Sequence, residues 1–191
     1  ALRDSIIWCD SRAVNIGNDA YEKLGEDKCM SHLLNSPGNF TASKLKWVKE
    51  NEPEVYEKIY KYMLPGDFIA YKLSGEINTT RNGLSEGIIW DYKNNEIANW
   101  LLDFYGINPN LTPDLVDNFT NQGATNSKSS KETGLNIGIP ITYRAGDQPN
   151  NALALNVFDN GEVAASGGTS GVIYSITNNI KSCLLYTSDA A

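Results

Sequence analysis

The stretch Pro140-Ile141-Thr142-Tyr143-Arg144-Ala145-Gly146-Asp147-Gln148-Pro149-Asn150-Asn151-Ala152 organises the reading of the whole chain. Ile141 and Thr142 give it a strand-like start, because β-branched side chains suit a pleated surface. The run breaks at Gly146. Asp147 then stands where the chain turns into an apolar, helix-prone segment, residues 152–157. An acid at a strand-to-helix junction can cap the helix, and it can also face a cleft beyond the strand ends. Further on, Ser166-Gly167-Gly168-Thr169-Ser170-Gly171 forms a second break between two β-like runs. Glycines there let the backbone approach a ligand, and hydroxyls with free N–H groups can hold phosphate oxygens. Each feature also has a plain structural reading, an N-cap for Asp147 and a tight hairpin for the small-residue turn. In this order, the acid and the turn suggest a base facing a phosphate.

That combination resembles the FGGY family of carbohydrate kinases, and the xylulokinases within it most closely. There a strand leads to Gly-Asp-Gln or Gly-Asp-Asn, whose Asp is the catalytic base, and a Gly-Thr-Ser turn follows on the nucleotide phosphates. Gly146-Asp147-Gln148 and Gly168-Thr169-Ser170 match these features residue by residue. The resemblance implies ATP-dependent phosphorylation of a sugar hydroxyl, D-xylulose before others, in pentose catabolism. Asp147 would accept the hydroxyl proton and Gln148 would hold a neighbouring sugar hydroxyl. Gly168, Thr169 and Ser170 would steady the β/γ-phosphates. ATP and Mg²⁺ are the implied cofactors, the ion arriving with the nucleotide rather than at a metal site of the chain. Asp-Gln also resembles glycerol kinases, so glycerol, gluconate and ribulose kinases stay open. So do a non-catalytic sugar-binding relative and a purely structural domain.

Upstream, Ser5-Ile6-Ile7-Trp8-Cys9 reads as a buried strand, and residues 12–24 read as a helix with Asp10 or Ser11 as cap. Ile7-Trp8-Cys9-Asp10-Ser11-Arg12 resembles the family's Trp-(Asn/Gln/Met)-Asp-x-Arg strand end. Trp8 is expected in the core with an edge near the sugar pocket, and Asp10 is a second substrate-binding candidate beside its capping role. Thr41, Lys44, Leu45 and Trp47 fit the family's first signature on a helix capped by Thr41, with Asn39 departing from it. Residues 53–60 read as a helix, and Leu64-Pro65-Gly66-Asp67-Phe68 starts another that ends at Ser74-Gly75. This segment has the family's Leu-Pro-x-Asp pattern, with Asp67 read as a cap. Residues 82–91 resemble the family's Ser-x-x-x-Gly-x-x-(Trp/Leu)-(Leu/Asp) strand, while residues 96–105 read as a helix stopped by Gly106 and residues 109–126 as loop. A weak helix is expected over residues 127–133.

The 191 residues carry 16 basic and 23 acidic side chains, a net charge of −7 without a basic cluster. That argues against nucleic acid and against an anionic membrane as partner. No apolar run approaches the roughly 20 residues that span a bilayer. Cys9, Cys29 and Cys183 lack metal-ligand spacing and His32 is the single histidine, so neither a zinc site nor a Ser-His-Asp triad is indicated. Reduced thiols point to a cytoplasmic protein. Sugar and ATP are the expected partners, with room for a homodimer.

The fold class expected from the resemblance is α/β, a ribonuclease-H-like domain of the actin, Hsp70 and hexokinase superfamily. It would be a mixed sheet with helical insertions, here incomplete. Residues 1–181 are expected to be the latter part of the N-terminal kinase domain. Residues 182–191 resemble translated sequencing-adapter read-through, a non-native tail. Without the remainder of the cleft, the 191 residues alone are expected to be inactive.

Overall fold

The computed structural model describes residues 1–167, 171–180 and 182. The expected phosphate turn, Gly168, Thr169 and Ser170, and all but Ser182 of the expected tail lie outside these residues. The chain divides into two compact units, Ala1–Arg144 and Ala145–Ala191.

The first unit is mostly helical. Val14–Leu24 (α1), Glu26–His32 (α2), Thr41–Asn51 (α3) and Pro53–Tyr56 (α4) come first, then Pro65–Ser74 (α5) and Asn78–Thr80 (β1). Arg81–Glu86 (α6), Trp90–Asp91 (β2), Glu96–Ile97 (β3), Asn99–Phe104 (α7), Asp114–Val116 (β4) and Ser127–Thr133 (α8) complete it. β1 and β4 pair in parallel with Asn78 opposite Asp114, while β2 and β3 pair antiparallel with Trp90 opposite Ile97. The core gathers around Leu84 of α6, Ile89, and Leu101 and Leu102 of α7, all inaccessible to solvent. Each such side chain contributes about 1.5–3 kcal/mol of burial. Leu45 and Val48 of α3 are buried together, as their spacing predicts.

Local signals place several elements well. Pro65 opens α5 and Gly75 closes it at φ 87° with its N–H on Tyr71 O. α8 has the expected bounds, and its ends hold it. The Asn126 side chain accepts from the N–H groups of Lys128 and Ser129, and Ser129 Oγ accepts from Asn126 N–H (3.0 Å), a capping box. Ser129 Oγ also donates to Leu73 O at the end of α5 (2.6 Å). At Gly17, a Cβ would lie 1.8 Å from the Gly38 carbonyl oxygen, so α1 can approach that loop only with glycine there.

Other expectations are corrected. Ser5-Ile6-Ile7-Trp8-Cys9 is not a buried strand: Ile7 is 55% and Trp8 88% exposed. A strand needs a neighbouring ladder, whereas Ile7 O here accepts from Asp10 N–H (3.2 Å) in a turn and from the Lys44 ammonium (2.8 Å). α1 starts at Val14, after an Ala13 N-cap, so Asp10 does not cap it. Thr41 is the first residue of α3 rather than its cap, which is Phe40. α4 ends at Tyr56, short of the expected Tyr60. Residues 82–91 begin as helix, because Thr80 Oγ1 accepts from Gly83 N–H (3.2 Å) and starts α6; only Trp90–Asp91 is strand. Glu96 and Ile97 belong to β3, so the helix expected from residue 96 begins at Asn99.

The second unit holds Asp147–Ala154 (α9) and the hairpin strands Val163–Gly167 (β5) and Gly171–Ser175 (β6). The strands are antiparallel, Val163 facing Ser175 and Gly167 facing Gly171, which agrees with the two β-like runs. Among the described residues, no helix is long and apolar enough to cross a membrane.

Candidate active site

Asp147 is the first residue of α9, and Gly146, in extended conformation, is its N-cap. The helix therefore starts earlier than residue 152, and Asp147 is inside it rather than capping it. Residues 139 and 141 lead into this junction as extended chain: Ile141 N–H donates to Gly123 O and Gln122 N–H donates to Ile141 O, both at 2.8 Å. Asp147 is exposed. Its Oδ1 accepts from Gln148 N–H (3.0 Å) and its Oδ2 from Gln148 Nε2 (3.3 Å). Asn150 Nδ2 donates to Ala145 O (3.1 Å), tying the first turn of α9 to the chain just before it. Asp147 sits in the first turn of α9, at the positive end of the helix dipole. The structure thus brings Asp147 and Gln148 together at one helix start. β5 and β6 follow in the same unit, and the residues that join them, Gly168, Thr169 and Ser170, are those outside the described set.

Asp10 and Trp8 share a loop of the first unit. The Asp10 carboxylate is clamped by Arg12, whose Nε lies 2.9 and 3.0 Å from its two oxygens and whose Nη2 lies 2.7 Å from Oδ2. The Arg12 side-chain hydrogen bond holds the Asp10 carboxyl below the usual range. Arg12 in turn lies over the Trp47 ring, 4.5 Å from its centroid. Lys44 holds Ile7 O, and Asn39 Nδ2 donates to Asp10 O (2.5 Å). Burial and the nearby Asp10 charge act in opposite directions on Lys44, and burial prevails, lowering its pKa. The Thr41-to-Trp47 signature is therefore the clamp of this loop. Its Lys and Trp fix the backbone from which Trp8 projects outward, instead of filling the core as expected. That role was missed in sequence, although the Asp-x-Arg spacing beside a Lys-x-x-Trp helix carries it.

Asp67 was also misread. Leu64 is the N-cap of α5, and the Asp67 side chain is 3% exposed. Its Oδ1 lies 3.2 Å from Arg144 Nε and its Oδ2 accepts from Thr79 Oγ1 (2.9 Å). Burial pushes the Asp67 carboxyl up and the Arg144 guanidinium down, against their mutual attraction.

A model of the FGGY family of carbohydrate kinases, N-terminal domain, matches residues 1–154. The chain belongs to this family. It is 30% identical over 179 residues to the xylulose kinase of Staphylococcus xylosus, covering 93% of this chain and 37% of that protein. The crystal structure of xylulose kinase from Rhodospirillum rubrum superposes with a TM-score of 0.85 at 24% identity, over 92% of this chain and 36% of that one. The Plasmodium falciparum glycerol kinase structure with ADP gives 0.81 at 22% identity, over 90% and 35%. The family fold, actin- and hexokinase-like, is thus that of the chain. The chain spans little more than a third of the length of these kinases.

Proposed function

We propose that the protein bearing this FGGY chain transfers the terminal phosphoryl group of Mg·ATP to a hydroxyl of D-xylulose, with Asp147 as general base. The observation that carries this reading is an exposed carboxylate as the first residue of α9, paired with Gln148, in a chain of a sugar-kinase family. As the sugar oxygen forms its bond to phosphorus, its proton passes to Asp147 and the bond from phosphorus to the bridging oxygen of ADP breaks. Gln148 holds an adjacent sugar hydroxyl. Gly168, Thr169 and Ser170 steady the phosphates, and Asp10 and Trp8 border the sugar. Such chemistry is mostly positioning and charge stabilisation.

The name of the Staphylococcus xylosus relative favours the ketopentose, whereas Gln148 favours glycerol as the second reading. A panel of D-xylulose, D-ribulose, glycerol and gluconate, compared by kcat/KM on the full-length enzyme, separates them. D-xylulose is expected to lead by tenfold or more, about 1.4 kcal/mol of transition-state discrimination. A tenfold lead for glycerol or gluconate overturns the substrate assignment.

A further inference from the structure

Residues 4–12 of the first unit, all among the described residues, belong to no helix or strand, so side chains from elsewhere must fix their path. The Lys44 ammonium donates to Ile7 O (2.8 Å), and Asn39 Nδ2 donates to Asp10 O (2.5 Å). Arg12 grips the Asp10 carboxylate through Nε and Nη2 and rests on the Trp47 ring, which seats the loop on α3. Asn39 is itself held. Ser43 Oγ donates to Pro37 O and Gly38 N–H donates to Ser36 Oγ, both at 3.2 Å, while α1 closes on the Gly38 carbonyl at Gly17. The Asn39 amide has one workable orientation, because turning it over would set Oδ1 against the Asp10 carbonyl oxygen, two acceptors face to face. As it stands, Oδ1 is buried without a hydrogen-bond partner. An orphaned buried acceptor destabilises a fold, so what Asn39 contributes is the place of the Asp10 carbonyl. Between these anchors Trp8 is 88% exposed. An indole left in water gains nothing from an ordered loop, and ordering a loop costs entropy. A ligand does gain, because a face that is already fixed loses little freedom on binding.

We infer that Lys44, Asn39 and Arg12 are positioning residues that set substrate affinity. They hold the backbone of residues 7–12 so that Trp8 and Asp10 meet the sugar already ordered. The inference rests on the reading that Trp8 and Asp10 border the sugar.

The test is equilibrium binding of D-xylulose to the full-length enzyme without ATP, by titration calorimetry, with kcat and KM measured alongside. Where glycerol or gluconate leads the substrate panel, that compound takes the place of D-xylulose. Lys44→Met and Asn39→Ala are expected to raise Kd and KM about 5–30-fold, with kcat changed by less than about threefold. Arg12→Lys keeps the charge but not the two-point grip, and should fall between these variants and the parent. Trp8→Ala is expected to raise Kd at least as far. Adding Lys44→Met to Trp8→Ala should then raise Kd by less than about twofold more, because Lys44 acts on Ile7, the neighbour of Trp8. Full additivity of those two changes overturns the inference, and so does a Kd within about twofold of the parent's in both Lys44→Met and Asn39→Ala. Should Asn39→Ala fail to fold, Lys44→Met, which keeps the side-chain stem and removes only the ammonium, decides alone. If Trp8→Ala binds the sugar as the parent does, the placement of Trp8 at the sugar fails and the inference with it. If Trp8→Ala loses affinity while the Lys44 and Asn39 variants keep it, only the positioning role fails.

Discussion

Replacing Asp147 with Asn is expected to lower kcat of the full-length kinase by about 10²–10⁴-fold, the usual worth of general-base catalysis. Asn keeps the size of the side chain and can still accept a hydrogen bond from Gln148 N–H through Oδ1. It cannot take a proton. Sugar KM should change by less than about threefold, because the lost interaction forms as the proton moves, in the transition state. Asp147 is exposed at the start of α9 and its carboxylate accepts from its neighbour Gln148, so the change should leave stability nearly untouched. Near-normal turnover in the Asn variant would falsify the base assignment, and unfolding of the variant would argue for a structural acid instead.

Asp91 should show the opposite pattern, a large loss of stability. Its side chain is fully buried in β2. Oδ1 accepts from Asn94 N–H (2.9 Å), and Oδ2 accepts from Asn94 Nδ2 (3.1 Å) and Trp100 Nε1 (3.0 Å). His32 Nδ1 lies 2.9 Å from Oδ2. Asp91→Ala strands these donors at once and is expected to cost about 3–5 kcal/mol, read as a lower urea midpoint at unchanged slope. Asp91→Asn should cost less. The pH dependence follows from the same contacts. Burial raises the Asp91 carboxyl, but the bonds from Asn94, His32 and Trp100 outweigh it and hold the folded pKa below the ordinary value. The unfolded state therefore protonates first as pH falls. The stabilisation is present above about pH 4, the unfolded range, and is lost as pH drops through the folded value. A urea midpoint for Asp91→Asn that falls in acid as steeply as that of the parent chain would remove Asp91 from this account.

Elements with their determinants close in sequence were legible. Pro65 and Gly75 bracket α5, Asn126 and Ser129 start α8, and the β-like runs on either side of residues 168–170 are β5 and β6. Readings failed where the deciding partner is distant. Nothing local in Asp67 announces Arg144, and nothing near Asp91 announces His32. The apolar run at residues 5–9 satisfies every local rule for a strand, yet Lys44 and Asp10 N–H take up the Ile7 carbonyl in a turn. For the candidate site, Gly146-Asp147-Gln148 was legible as a junction with a helix. The residues that anchor the chain just before it were not, because a buried acid and a capping acid look alike in sequence.

The capping box of α8 has a thermodynamic consequence. This helix, Ser-Lys-Ser-Ser-Lys-Glu-Thr, has no apolar side chain, and of its residues only Ser129 is buried. It meets the end of α5 through hydrogen bonds to Leu73 O, from Ser129 Oγ and from Asn126 N–H. Opening it would hydrate polar groups and almost no hydrocarbon. Heat capacity and denaturant sensitivity both scale with exposed surface, the former mainly with its apolar part, so this local opening should be small in both. Amide exchange in α8 should therefore proceed at a rate nearly independent of added urea while the core around Leu84 and Leu101 remains strongly urea-dependent. The helix would loosen on its own, as a unit with a separate melting behaviour inside an otherwise cooperative structure.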